Sequence, residues 1–195
     1  FPTGSYFEMS EWTLPAPTAH EFAQVLGQIE QLPNHLQIRQ FLKGGIWRNF
    51  LIKYPESDNM YKKMLRLSCQ IQNLKAQNLI STDELNQAQH FLWAGQCNCA
   101  YWHGVFGGLY LPHLRDAIYH QLIQAQKIVL QNQHVRQEKW AEVNVADLNA
   151  DGYPELAVQT NTYGLLFNLH SGGTVYEWDY LPTAANLANT LTRRY

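Results

Sequence analysis

The chain has 195 residues, 46% hydrophobic and 15% charged, with 14 Lys and Arg against 16 Asp and Glu for a net charge of −2. That is length and apolar content enough for one large or two small domains with a real core, and without a basic block neither nucleic acid nor a membrane surface is an expected partner. Three Cys, two of them separated by one residue (Cys97 and Cys99), give no disulfide framework and predict a reducing, cytoplasmic setting. No apolar run reaches the ~18 residues of a membrane span, and no signal peptide is visible.

Residues 1–17 (FPTGSYFEMSEWTLPAP) hold three Pro and predict an ordered connector rather than a helix. Thr18 can cap a helix over 19–31 that Pro33 ends; a short amphipathic piece comes next at 35–43, stopped by Gly44 and Gly45. The next segment, IWRNFLIKYPES, reads as irregular and aromatic. From Asp58 the period is helical: Met60, Met64, Leu67, Ile71 and Leu74 form one apolar stripe. Lys62, Lys63 and Arg66 fall off it and are expected on a solvated face. Ser81 to Glu84 fits a capping box that starts another helix, carrying Leu85, Ala88, Leu92, Gly95, Cys99 and Trp102 inward. Gly107 and Gly108 break it, and Pro112 opens a last helix with Leu114, Ile118, Leu122, Ala125 and Val129 on its apolar face.

After Gln133 the period falls to two. Residues 142–146, 155–159, 165–168 and 174–179 read as strands, with turns at Asp151-Gly152 and Gly172-Gly173. The predicted class is α+β: an antiparallel helical bundle over 1–132, then the first strands of an antiparallel β-sandwich over 133–195. A start at Phe1 rather than Met, and four strands with open edges, suggest a fragment of a longer polypeptide.

The stretch Gln96–Arg115, QCNCAYWHGVFGGLYLPHLR, concentrates the chemistry. Cys99 and Trp102, three apart, would share one helix face. Two readings stand: a small thiol and a bulky ring in the core, or a sugar-stacking platform flanked by Asn98 and His103. Gly104, Gly107 and Gly108 would let backbone approach a ligand. The C-x-C spacing of Cys97 and Cys99, with no second ligand pair, does not suit structural zinc. Asp147, Asn149, Asp151 and Glu155 fit D-x-N-x-D-G, the start of a calcium loop. An EF-hand would need Glu where Val158 stands, so the alternatives are a calcium loop in a β hairpin or an ion-free Asx-rich turn. Glu8, Glu11, Glu56, Asp116 and Glu177 have no distinctive acid–base setting, and no Ser-His-Asp set or nucleotide fingerprint is present.

Gln96–Arg115 closely resembles the motif QCNDAYWHGxFGGxYLPHLR of glycoside hydrolase family 57, in its 4-α-glucanotransferase and α-amylase branch. FPTGSYFEMSEWTLP resembles that branch's lead-in to its middle helical domain. GGIWRNFLIKYPESDNMYKKML resembles its WRNF…KYPESN…M segment, with Asp58 where Asn is usual and Tyr61 where His is usual, and ANLANTLTRRY resembles a stretch leading into the β-sandwich. The resemblance implies retaining cleavage of α-1,4-glucan, with the glucosyl unit passed to another sugar or to water. It implies no required cofactor, an upstream (β/α) barrel in the same polypeptide as partner, and maltooligosaccharide as ligand. The catalytic Glu and Asp would lie in that barrel, upstream of Phe1. Trp102 matches the Trp that borders the donor sugar, and Asn98 and His103 match neighbouring motif positions. Cys99 departs from the motif, which has an acid there that approaches the sugar. The alternative is a non-catalytic glucan-binding or scaffold module derived from such an enzyme.

Overall fold

The computed structural model describes residues 7–103, 106–135 and 138–191. Among them are seven α-helices, two short 3₁₀ turns and a five-stranded antiparallel sheet. They divide into two compact units, one ending at Pro55 and the other running from Glu56 to Leu191. None of the described helices is long and apolar enough to cross a membrane.

The first unit contains α1 (Phe7–Trp12), α2 (Ala16–Ile29), α3 (His35–Arg39) and α4 (Trp47–Lys53). Two sequence expectations fail here. The presumed connector contains α1, and the presumed irregular segment contains α4. Both helices lean on tertiary contacts that single-segment reading cannot see. Lys53 at the end of α4 donates to the carbonyls of Trp12 (3.0 Å) and Leu14 (2.7 Å), supplying partners at the exit of α1. Gly45 N–H donates to Ser10 O at 2.8 Å, and a Cβ on Gly44 would lie 2.2 Å from that same oxygen. The Gly-Gly pair therefore serves a close crossing rather than stopping a helix, since α3 already ends at Arg39, short of the expected 35–43. Helix α2 starts at Ala16, ahead of the expected Thr18 cap, because Pro17 is compatible with a first helical turn.

The second unit is built on α5 (Pro55–Ala76), α6 (Thr82–Ala94) and α7 (Pro112–Gln133). Most of the apolar stripes are buried: Met60, Leu67, Ile71 and Leu74 on α5, Ala88 and Leu92 on α6, and Ile118, Leu122, Ala125 and Val129 on α7, while Met64, Leu85 and Leu114 are half-buried. The capping box forms as expected, with Ser81 Oγ accepting from Glu84 N–H and Ser81 N–H donating to Glu84 Oε2. Strands β1 (Ala141–Ala146), β2 (Glu155–Thr160), β3 (Tyr163–Asn168), β4 (Thr174–Tyr180) and β5 (Ala185–Asn186) form a meander in chain order, each antiparallel to the next. The four expected strands are present, and the two-residue β5 adds a fifth.

Lys63 is the main correction in this unit. It is 2% exposed, not solvated. Its Nζ donates to Gln126 Oε1 (2.7 Å), Glu177 Oε1 (3.0 Å) and Asp179 Oδ2 (2.5 Å), which uses all three ammonium hydrogens. Strand β4 buries both of these acids, and Asn186 on β5 donates to the other oxygen of Asp179 at 2.9 Å. A cavity of about 380 Å³ adjoins this network, lined by Lys63, Arg66, Gln126, Gln159 and Glu177 among others.

Candidate functional site

Helix α6 ends at Ala94 with Gly95 as its cap, and the next regular piece is the 3₁₀ turn Asn98–Ala100. Cys99 and Trp102 therefore do not lie on one long helix and share no helix face, contrary to the expectation from their spacing. The physical cause is Gly95. A Cβ there would lie 2.6 Å from Leu122 Cδ2, so α6 and α7 touch at this point, and the Gly95 carbonyl accepts from Tyr101 Oη at 2.5 Å. The chain turns back over the helix end instead of extending it.

Beyond Gly95 the chain forms a loop with a buried side and an outward side. Ala100, Tyr101 and Leu109 are buried, with Leu109 fully so. Ser57 Oγ on α5 donates to the Tyr101 carbonyl, and burial pushes the Tyr101 phenol well above its usual pKa, so it stays a neutral donor. Leu109 N–H donates to Trp102 O at 2.8 Å, drawing the second 3₁₀ turn, Gly108–Tyr110, against the first part of the loop. Gly108 has φ +46°, and a Cβ there would lie 2.2 Å from Trp102 O and 2.8 Å from Cys99 O. Only glycine permits that backbone crossing. Arg115, 4% exposed on α7, donates through Nη1 to Leu109 O at 2.6 Å.

On the outward side, Asn98 and Cys99 are exposed, and Trp102 and His103 are half-buried. Cys99 Sγ lies 3.6 Å from Asn98 Oδ1, a weak thiol donor contact. The His103 and Tyr110 rings are 5.5 Å apart and tilted by 39°. The core-thiol reading of Cys99 fails because the thiol is exposed. Phe106, which matches the F of the motif's HGxFGG but is not among the expected site residues, is 93% exposed; an aromatic directly before a Gly-Gly pair is the signal that could find it. Gly104 lies outside the described residues, as does the side chain of Glu8.

The second predicted site, over Asp147–Glu155, is folded by its own side chains. Asp147 accepts from the N–H groups of Asp151 (3.1 Å) and Gly152 (3.1 Å). Asn149 Oδ1 accepts from Asp151 N–H at 2.9 Å, and Asp151 Oδ1 accepts from Tyr153 N–H at 2.8 Å. Glu155, 1% exposed, accepts through Oε2 from Leu148 and Asn149 N–H. Burial pushes the Glu155 carboxyl up in pKa, while those two N–H bonds act against it. The four residues thus converge on one turn, as the spacing implied, with backbone donors already on their oxygens. Among the described residues no group of three or more His, Cys, Asp or Glu is set to hold a metal ion.

Of the other carboxylates, Glu177 is paired with Lys63 and Asp116 accepts from Asn189 Nδ2 at 2.5 Å.

Residues 45–129 match the family model for the alpha-amylase/4-alpha-glucanotransferase middle domain, and residues 147–195 match that for its C-terminal part. The chain is 40% identical over 193 residues to Alpha-amylase 1 of Dictyoglomus thermophilum, covering 99% of this chain and 26% of that protein. It is 38% identical over 194 residues to the 4-alpha-glucanotransferase of Thermococcus kodakarensis, covering 100% and 26%. The crystal structure of 4-alpha-glucanotransferase from Thermococcus litoralis superposes with a TM-score of 0.80 at 36% identity, over 100% of this chain and 27% of that one. The chain thus spans about a quarter of the length of these relatives.

Proposed function

We propose that this chain, which belongs to the alpha-amylase/4-alpha-glucanotransferase family as its middle and C-terminal region, forms one wall of an α-1,4-glucan cleft. The observation that carries this reading is the anchored loop. Trp102 is half-buried, next in the chain to His103 and in the same loop as the exposed Asn98, on backbone fixed by Tyr101, Gly108 and Arg115. A glucose ring has an apolar face and an equatorial belt of hydroxyls. An indole takes the first, and amide and imidazole groups take the second. Rigid backbone beneath these side chains spares the entropy of ordering them on binding.

In this reading the chain does no chemistry itself. The catalytic carboxylates come from an upstream (β/α) barrel of the same polypeptide, and the wall holds the glucan against them.

A second reading, a non-catalytic glucan-binding module, is favoured by Cys99. A thiol is a weak acceptor, whereas a carboxylate at the same exposed position could accept two hydroxyl hydrogens. One experiment addresses both. Maltotriose is titrated calorimetrically into the longest polypeptide carrying these residues, with release of transferred or hydrolysed glucan followed in parallel. Trp102→Ala is expected to weaken binding at least about tenfold, or about 1.4 kcal/mol, without lowering the melting temperature. Cys99→Asp is expected to tighten it. Wild-type binding with no turnover selects the module, and unchanged affinity in Trp102→Ala removes the glucan wall altogether.

A further inference from the structure

We propose that Asn189, far from the loop in sequence, is a positioning residue for the Trp102 face, acting through Arg115. The proposal rests on the glucan-wall reading for its functional meaning, although the geometry stands apart from it. Arg115 Nε donates to Asn189 Oδ1 at 2.7 Å, and Arg115 Nη2 lies 3.5 Å from the Asn189 carbonyl. The same guanidinium donates through Nη1 to Leu109 O, and Leu109 N–H donates to Trp102 O. One relay therefore runs Asn189, Arg115, Leu109, Trp102. Asn189 comes after β5, so the relay joins the chain just past the sheet to the loop that precedes α7.

The chemistry explains why an amide stands at 189. Its oxygen must accept from Arg115, while its Nδ2 donates to Asp116 Oδ1 on the first turn of α7. Asn supplies both roles in one short side chain. A carboxylate there would satisfy Arg115 and be repelled by Asp116, and Ala would satisfy neither. With the Asn189 side chain gone, Arg115 Nε loses its acceptor, and only the long contact of Nη2 to the residue-189 carbonyl is left on that edge. The guanidinium can then rotate away from Leu109 O, releasing the turn on which the Trp102 carbonyl rests.

The test uses 5-fluorotryptophan-labelled protein, with the Trp102 signal assigned by Trp102→Phe, and maltotriose as the ligand. Asn189→Ala is expected to shift or broaden the Trp102 ¹⁹F resonance while leaving the other indole signals in place. It should also weaken maltotriose binding about fivefold or more. Asn189→Asp alone should behave no better. Asn189→Asp combined with Asp116→Asn reverses the donor and acceptor between the two side chains, keeps the acceptor for Arg115, and should return both readouts to near wild type. A Trp102 resonance unmoved in Asn189→Ala overturns the relay. So does failure of the paired variant to restore the resonance when its melting temperature is that of wild type. Should maltotriose not bind the wild type, the glucan reading fails and the ¹⁹F signature alone decides the relay. Loss of binding in Trp102→Ala but not in Asn189→Ala keeps the glucan wall and discards the positioning role.

Discussion

Asp179 has no exposed surface, and burial raises its carboxyl to about 6 from an ordinary 3.8; Lys63 pulls the other way, and Glu177 pushes it further up. Between those two values the folded chain holds a proton that the unfolded chain has released. The stability this group contributes is therefore fully present below about pH 4 and is lost as pH rises through about 6. Urea midpoints measured near pH 5 and near pH 7.5 should show wild type losing stability toward the higher pH, with Asp179→Asn losing distinctly less. Equal slopes in the two proteins would place the titration elsewhere. Single residues differ in how plainly the sequence announces them. The motif letters Asn98 and Cys99 are exposed and Trp102 and His103 half-buried, an accessibility that residue type alone does not give for a Cys or a Trp. The apolar stripe, drawn through Met60 and Met64, leaves Lys63 off it and in solvent, yet three residues after Met60 and four before Leu67 it lies on the buried face. Its partners on β4 are more than a hundred residues away, and nothing local announces them.

Among the elements, the loop between β1 and β2 closes on itself. Its acceptors are already met by N–H groups of the same turn, from Asp147 at the start to Glu155 at the end. A cation would have to use the lone pairs those N–H groups leave, and among the described residues no three such groups are set around one centre. The expected result is a melting temperature that a chelator leaves unchanged and added calcium does not raise. An increase of several degrees with calcium would instead assign an ion to the loop. The strands on either side are legible from their period of two and from Asp151-Gly152, a turn dipeptide. Helix ends are less so. The apolar period runs on past Ala94 to Cys99 and Trp102, but the end is fixed by Leu122 crowding Gly95, a contact from another helix. Helix α4 escapes sequence reading because its support, the Lys53 contacts to Trp12 and Leu14, is tertiary.

Across the unit from Glu56 to Leu191, helices and sheet are joined by charge as well as by apolar packing. The α+β order is legible because the hydrophobic period changes once, after Gln133; which faces meet is not, because β4 buries Glu177 and Asp179 where alternation alone predicts apolar residues. Lys63 makes that burial tenable. Burial disfavours its ammonium, the two carboxylates outweigh this, and its pKa is raised. Arg66, 4.0 Å from Glu177, adds a more distant positive charge. Such a network is worth little net relative to apolar packing, since desolvating the charges offsets their attraction, yet breaking it from one side strands the others. Lys63→Ala should therefore cost about 3–5 kcal/mol in a urea titration. Replacing Lys63 by Met together with Glu177 and Asp179 by Leu should restore stability to wild type or above it. If the triple replacement instead unfolds the unit while Lys63→Ala is mild, the joint depends on its polar geometry, with Gln126 and Asn186 needing the carboxylates and ammonium as partners. The two outcomes differ in sign, so equilibrium midpoints alone separate a tolerated buried charge from one that specifies how the sheet seats on α5 and α7.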